Sequence, residues 1–133
     1  MKRLLTAALI ATALASPVRA EQPFVYISGA GHGYTLDCNA NGYVLTSVNP
    51  VGRRIGEVGA TIQTIYDTET IYLGASCDAY SELLGNGEWA WGNGGFIVDF
   101  GDFRIGFPRQ ELTCPTYTPA YNYDNDGRCL LSY

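Results

Sequence analysis

The chain has 133 residues, a formal net charge of −5, and 47% hydrophobic against 16% charged residues. Eight basic residues beside 13 acidic ones argue against a nucleic-acid binder, which needs cations to displace counterions from phosphates, and against an anionic membrane surface as partner. No apolar run reaches the roughly 20 residues needed to cross a bilayer, so no membrane span is expected.

The first element in chain order is a secretory signal over residues 1–20. Met1-Lys2-Arg3 is a positive start, Leu4 to Ala15 is an apolar stretch, and Ser16-Pro17 breaks any helix. Val18-Arg19-Ala20 then puts small or modest residues where a signal peptidase reads, ahead of Glu21. Cleavage there leaves one domain, 21–133, long enough to bury a core of its own. It also removes Lys2, Arg3 and Arg19, so that five arginines and no lysine face 13 acidic residues, a net charge of −8. The expected location is the periplasm or the extracellular space. Such a charge keeps a domain soluble and steers cationic partners toward it.

In the mature chain glycine and tyrosine are abundant, β-branched residues recur in short runs, and turn signals come roughly every eight to twelve residues. This rhythm predicts an all-β fold, a small antiparallel barrel or sandwich of about seven to eight short strands. Gly29-Ala30-Gly31-His32-Gly33 holds the single histidine in a glycine-rich turn. His32 has no nucleophile motif in the sequence to work with, so it is expected to be a loop residue. Tyr34, Leu36 and Cys38 alternate with Thr35 and Asp37. Asn39-Ala40-Asn41-Gly42 is a turn, and Tyr43, Leu45 and Ser47 alternate with Val44 and Thr46. A loop opening at Asn49-Pro50-Val51-Gly52 is expected to carry Arg53 and Arg54. A second hairpin is expected over Ile62 to Leu73, turning at Asp67-Thr68-Glu69. Asp78 to Leu84, stopped by Gly85, is the best candidate for a short helix.

The stretch from Glu88 to Phe107 reads most sharply. Asn93-Gly94 and Gly101-Asp102 are two-residue hairpin signals. If both turns form, Trp91 faces Phe96, Trp89 faces Val98, Phe100 faces Phe103, Val98 faces Ile105 and Phe96 faces Phe107. Side chains alternate along a strand, so all eight apolar residues then share one face, and a one-residue slip would expose a whole row. This three-stranded meander is the expected core. The same register puts Glu88, Asp99 and Arg104 in one row on the opposite face. Two carboxylates on neighbouring strands are the raw material of a nucleophile and acid pair on a sugar, and an arginine beside them is equally the raw material of a surface ion pair.

Four cysteines in an exported chain read as two disulfides, with three possible connectivities. Cys38–Cys77 and Cys114–Cys129 are the preferred pairing, the second closing a loop of about 15 residues that staples the C-terminal tail. The absence of C-x-x-C spacing argues against zinc. Asn122 to Gly127 matches the first half of a calcium loop, with oxygen ligands at Asp124 and Asp126, but the acidic residue needed at the twelfth place is replaced by Tyr133. Calcium is the one cofactor the sequence suggests, and an Asp-Gly turn explains the same residues. Tyr117, Tyr121, Tyr123 and Tyr133 flank the last cysteine and form a candidate contact surface, since tyrosines anchor sugars and protein interfaces.

In size, charge and architecture the mature chain resembles small exported bacterial β-domains, including periplasmic inhibitors of lysozyme. The mature charge of −8, the missing lysines, the absence of a catalytic set and the disulfide-braced scaffold point to a non-catalytic binding or inhibitor-like module for a basic protein or a glycan, expected to be a monomer. A small glycan-active hydrolase built on Glu88 and Asp99, and a structural component of the cell envelope, are the alternatives.

Overall fold

The computed structural model describes residues 24–56, 59, 61–92, 94–114 and 129, together with Ser16. Among these residues ten strands account for the regular structure: β1 Val25–Ile27, β2 Gly33–Asn39, β3 Gly42–Ser47, β4 Val51–Ile55, β5 Gln63–Asp67, β6 Thr70–Gly74, β7 Asp78–Ser81, β8 Gly85–Gly92, β9 Gly95–Asp99 and β10 Arg104–Phe107. Eight of them form one antiparallel sheet in the order β1-β2-β3-β6-β7-β8-β9-β10, and β4 and β5 pair separately as a ribbon.

The sheet curls until its two edges nearly meet, as an all-β chain must do to hide unpaired strand edges. Gly29 N–H donates to the Gly106 carbonyl at 2.8 Å. Beyond β10, the Gln110 carboxamide accepts from Ile27 N–H at 2.7 Å and donates to Ile27 C=O at 2.7 Å. One side chain thus pairs both backbone groups of an edge residue, as a neighbouring strand would. The Tyr26 hydroxyl donates to Glu111 C=O at 3.0 Å and accepts from Thr113 N–H at 3.1 Å, pinning the chain that follows across the same seam.

Alternation sends one face of the eight-stranded sheet inward, whereas all of β5 is exposed. Tyr34, Leu45, Ile71, Leu73, Phe96, Val98 and Phe107 are almost fully buried. Phe96 and Phe107 stack with ring centroids 4.5 Å apart, Tyr34 meets Phe107 edge-on at 5.5 Å, and Trp89 meets Tyr43 edge-on at 5.8 Å. Aromatic pairs at these separations add to their area burial. The expected meander is present with its register: Trp89 opposite Val98, Trp91 opposite Phe96, Val98 opposite Ile105, and Phe96 opposite Phe107. Gly101 takes a positive φ of 88° in the second turn, and Phe100 N–H donates to the Phe103 carbonyl at 2.8 Å. Phe103 departs from the expected core face. It is 39% exposed, and its ring covers Arg53, with the guanidinium 4.6 Å from the ring centroid.

Four expectations are corrected. Arg53 and Arg54 lie in β4, a strand, because Val51 to Ile55 find a partner in Gln63 to Asp67. Ile62 to Leu73 is therefore no hairpin: β5 pairs with β4 and β6 pairs with β3, so the chain changes sheets at Asp67-Thr68-Glu69. Asp78 to Ser81 is strand β7, paired on both sides, with Ala79 and Ser81 turned inward. The disulfides are Cys38–Cys114 and Cys77–Cys129, an interleaved pattern. Cys38 lies on β2 and Cys77 follows β6, with β3 between them. Two strand spacings are about 9.6 Å, more than the ~7 Å that a disulfide bridges between Cα atoms. Both bonds instead fasten the C-terminal stretch to the barrel. Disulfides of this kind belong to an oxidising compartment.

Candidate functional site

Where the chain leaves the ribbon for the barrel, a buried ionic node forms. Glu69 and Ser47 exchange hydrogen bonds: Ser47 N–H donates to the Glu69 carbonyl at 2.8 Å, and Glu69 N–H donates to the Ser47 hydroxyl at 2.8 Å. The fixed carboxylate then accepts from Arg53 Nε and Nη2, each at 2.6 Å, and from the Tyr34 hydroxyl at 2.7 Å. The Arg53 and Glu69 side chains are only 8% and 3% exposed. Burial, and then the neighbouring carboxylate, push the Tyr34 hydroxyl far above the usual tyrosine range. Burial alone would lower the Arg53 guanidinium, but its hydrogen bonds to Glu69 and the charge of that carboxylate more than reverse this, so it is raised. The fork-on-fork geometry satisfies both carboxylate oxygens. The node is a clamp that seats the ribbon on the barrel.

The carboxylates singled out from sequence lie on the outer face. Cross-strand pairing sets Asp78 opposite Glu88, Glu88 opposite Asp99, and Asp99 opposite Arg104. The four residues make one continuous row over β7 to β10. Arg104 binds Asp99 through Nη2 at 2.5 Å and Nε at 3.1 Å, and Gly101 N–H donates to the other carboxylate oxygen at 2.8 Å. The Arg104 hydrogen bonds, and then that from Gly101, hold the Asp99 carboxyl below the usual carboxylate range. Glu88 is exposed. The row presents negative charge on the outer face.

His32 closes the β1–β2 turn. Its carbonyl accepts from Ser28 N–H at 2.8 Å and its N–H donates to the Ser28 hydroxyl at 3.2 Å. Its half-buried imidazole has no hydrogen-bond partner among the described residues. Asp124 and Asp126, and Tyr117, Tyr121, Tyr123 and Tyr133, lie outside the described residues.

Sequence reasoning missed Tyr72 and Tyr80. They are direct partners across β6 and β7, with ring centroids 6.1 Å apart and planes tilted by 33°. Both are nearly half exposed, at 46% and 45%. The row of register partners that contains them runs Asp37, Val44, Tyr72, Tyr80, Asn86, directly beside the acidic row. The pair borders a groove of about 500 Å³ that reaches Asn39, Asn41 and Asp78 at one end of the barrel. Assigning Tyr80 to a helix broke the alternation that brings the two rings together. The usable signal was the spacing of Tyr72 and Tyr80 about a turn carrying Gly74 and Ser76.

No family model, curated protein or solved structure matches this chain. Among the described residues no helix is long and apolar enough to cross a membrane.

Proposed function

We propose that the protein is an exported, non-catalytic binding module of inhibitor-like type whose partner is a basic protein. The observation that carries this reading is the outer face itself. Asp78, Glu88 and Asp99 stand in one cross-strand row beside the exposed Tyr72–Tyr80 pair, with Arg104 offsetting a single charge. Carboxylates next to exposed rings suit a cationic surface, since complementary fields accelerate encounter and tyrosines anchor interfaces. Removal of residues 1–20 as a signal supports the same reading, because it raises the acidic excess.

The test is affinity capture on the immobilised oxidised protein at low and high salt, using envelope extract and a panel of basic secreted proteins that includes lysozymes. A stoichiometric basic partner is expected, weakened by salt and by the Asp78→Asn/Glu88→Gln double variant. Absence of any basic partner at both salt levels overturns the reading. So does glycan hydrolysis that Glu88→Gln abolishes, which would make the row a catalytic pair.

A further inference from the structure

The groove beside the acidic row has a floor made of backbone. Gly42 and Gly74 are register partners on β3 and β6. A Cβ on Gly42, whose φ is 146°, would run into the Leu73 carbonyl, and a Cβ on Gly74 would run into the Asp78 carboxylate. The carboxylate therefore lies directly over the glycine. Asp78 is exposed, and its carboxylate has no hydrogen bond or ion pair among the described residues. The Asn39 side-chain oxygen is occupied by Asn41 N–H at 2.8 Å. Ala75 N–H donates to Asn41 C=O at 2.9 Å, tying the β2–β3 turn to the β6–β7 turn. The Cys77–Cys129 bond braces the second of these turns, so the walls are held from two sides.

These features select a ligand chemistry. Two exposed tyrosine rings beside an unpaired carboxylate attract a cation that is also flat. A guanidinium stacks on an aromatic ring and meets a carboxylate with two parallel N–H donors. An ammonium satisfies the charge but has no plane to stack, and an anion is repelled by Asp78 and Glu88. We infer that the groove walled by Tyr72 and Tyr80 receives an arginine side chain of the partner, with Asp78 as its counter-charge. This rests on the basic-partner reading and names the group that the partner inserts. Glu88, opposite Asp78 in the register, adds a second negative charge at the rim.

The test is a ¹⁵N NMR titration of the full oxidised chain with N-acetyl-arginine amide and, separately, N-acetyl-lysine amide. Saturable shifts are expected at the amides of Gly42, Tyr72, Gly74 and Asp78, with the lysine amide binding more weakly. Tyr72→Ala should weaken arginine binding by about twofold to thirtyfold, the span for an exposed to a desolvated cation–π contact, and Asp78→Asn by up to about fivefold, the span for an exposed ion pair. Gly74→Ala pushes the Asp78 carboxylate off the floor without removing its charge and should weaken binding as well. The Tyr72 and Asp78 side chains sit on the outer face, and folding of all three variants is checked by the dispersion of the same spectra. Equal shifts from arginine and lysine, no saturation, or saturation by a chito-oligosaccharide in place of arginine overturns the inference. If a basic protein is captured but binds Tyr72→Ala and Gly74→Ala as tightly as wild type, the arginine slot is wrong and the basic-partner reading stands. If the amide titration succeeds and no basic protein is captured, the partner reading is what fails.

Discussion

Replacing Glu69 by Gln would test the clamp between ribbon and barrel. The variant keeps the shape of the side chain and removes its charge, leaving the Arg53 guanidinium without a counter-ion where only 8% of its side chain reaches solvent. One of the two contacts, each 2.6 Å long in the native pair, becomes donor against donor. Breaking a buried ion pair by removing one partner costs about 3–5 kcal/mol. For a domain of this size that is a fall in Tm on the order of 10–25 °C. The assay is urea unfolding with the disulfides intact, followed by the fluorescence of Trp89 and Trp91, with calorimetry alongside. The midpoint should fall at nearly constant slope. The double variant Arg53→Met/Glu69→Leu should recover most of the loss, because buried pairs replaced together by apolar residues are often neutral or stabilising. A Glu69→Gln protein within about 1 kcal/mol of wild type would refute the reasoning, since an unpaired guanidinium in that position should be expensive. It would mean that Arg53 finds water once released, with Phe103 as the gate.

Three further outcomes follow from the same structure. Because the Tyr34 hydroxyl is pushed far above the usual range by burial and by Glu69, the folded state keeps a proton that the unfolded chain releases near the ordinary tyrosine value of about 10. Stability should therefore hold below that pH and fall above it, by at most about 1.4 kcal/mol per pH unit, and Tyr34→Phe should abolish the slope in alkaline urea titrations. The disulfides span 76 and 52 residues, so the chain-entropy relation gives each about 4 kcal/mol; dithiothreitol should lower Tm steeply, and an unchanged Tm would contradict a structural role. Gln110→Ala removes both partners of Ile27, and amide exchange at Ile27 should accelerate while exchange at Leu45 and Ile71 in the sheet interior changes much less.

Much of the fold was legible because it is periodic. In Glu88 to Phe107, apolar residues at every second position and two glycine turns admit only one register, since any other places an aromatic row in water. The β2–β3 hairpin was legible for the same reason. Alternation with short turns also set the class, an antiparallel all-β chain. Signals of this kind are local, so a window of ten or twenty residues contains them whole.

The parts that misled are those where local preference and distant partners disagree. Thr68 and its neighbours look like a hairpin turn, but Glu69 is buried and bonded to Ser47 and Arg53, and that makes the turn a corner between two sheets. Asp78 to Ser81 has no strong preference of its own and is a strand because β6 and β8 flank it. The cysteine pairing depends on which strands lie between the cysteines, which no spacing along the chain records. The candidate groove belongs to the same class. Tyr72, Gly74, Asp78 and Gly42 become neighbours only when β3, β6 and β7 align. The sequence by itself determined the periodic elements, the acidic balance and the likeness to an exported domain, because those depend on composition and nearest neighbours. Only the tertiary structure decided the sheet change, the disulfide partners and the tyrosine groove, because closure of the barrel is what brings residues 30 to 80 positions apart within a few ångströms.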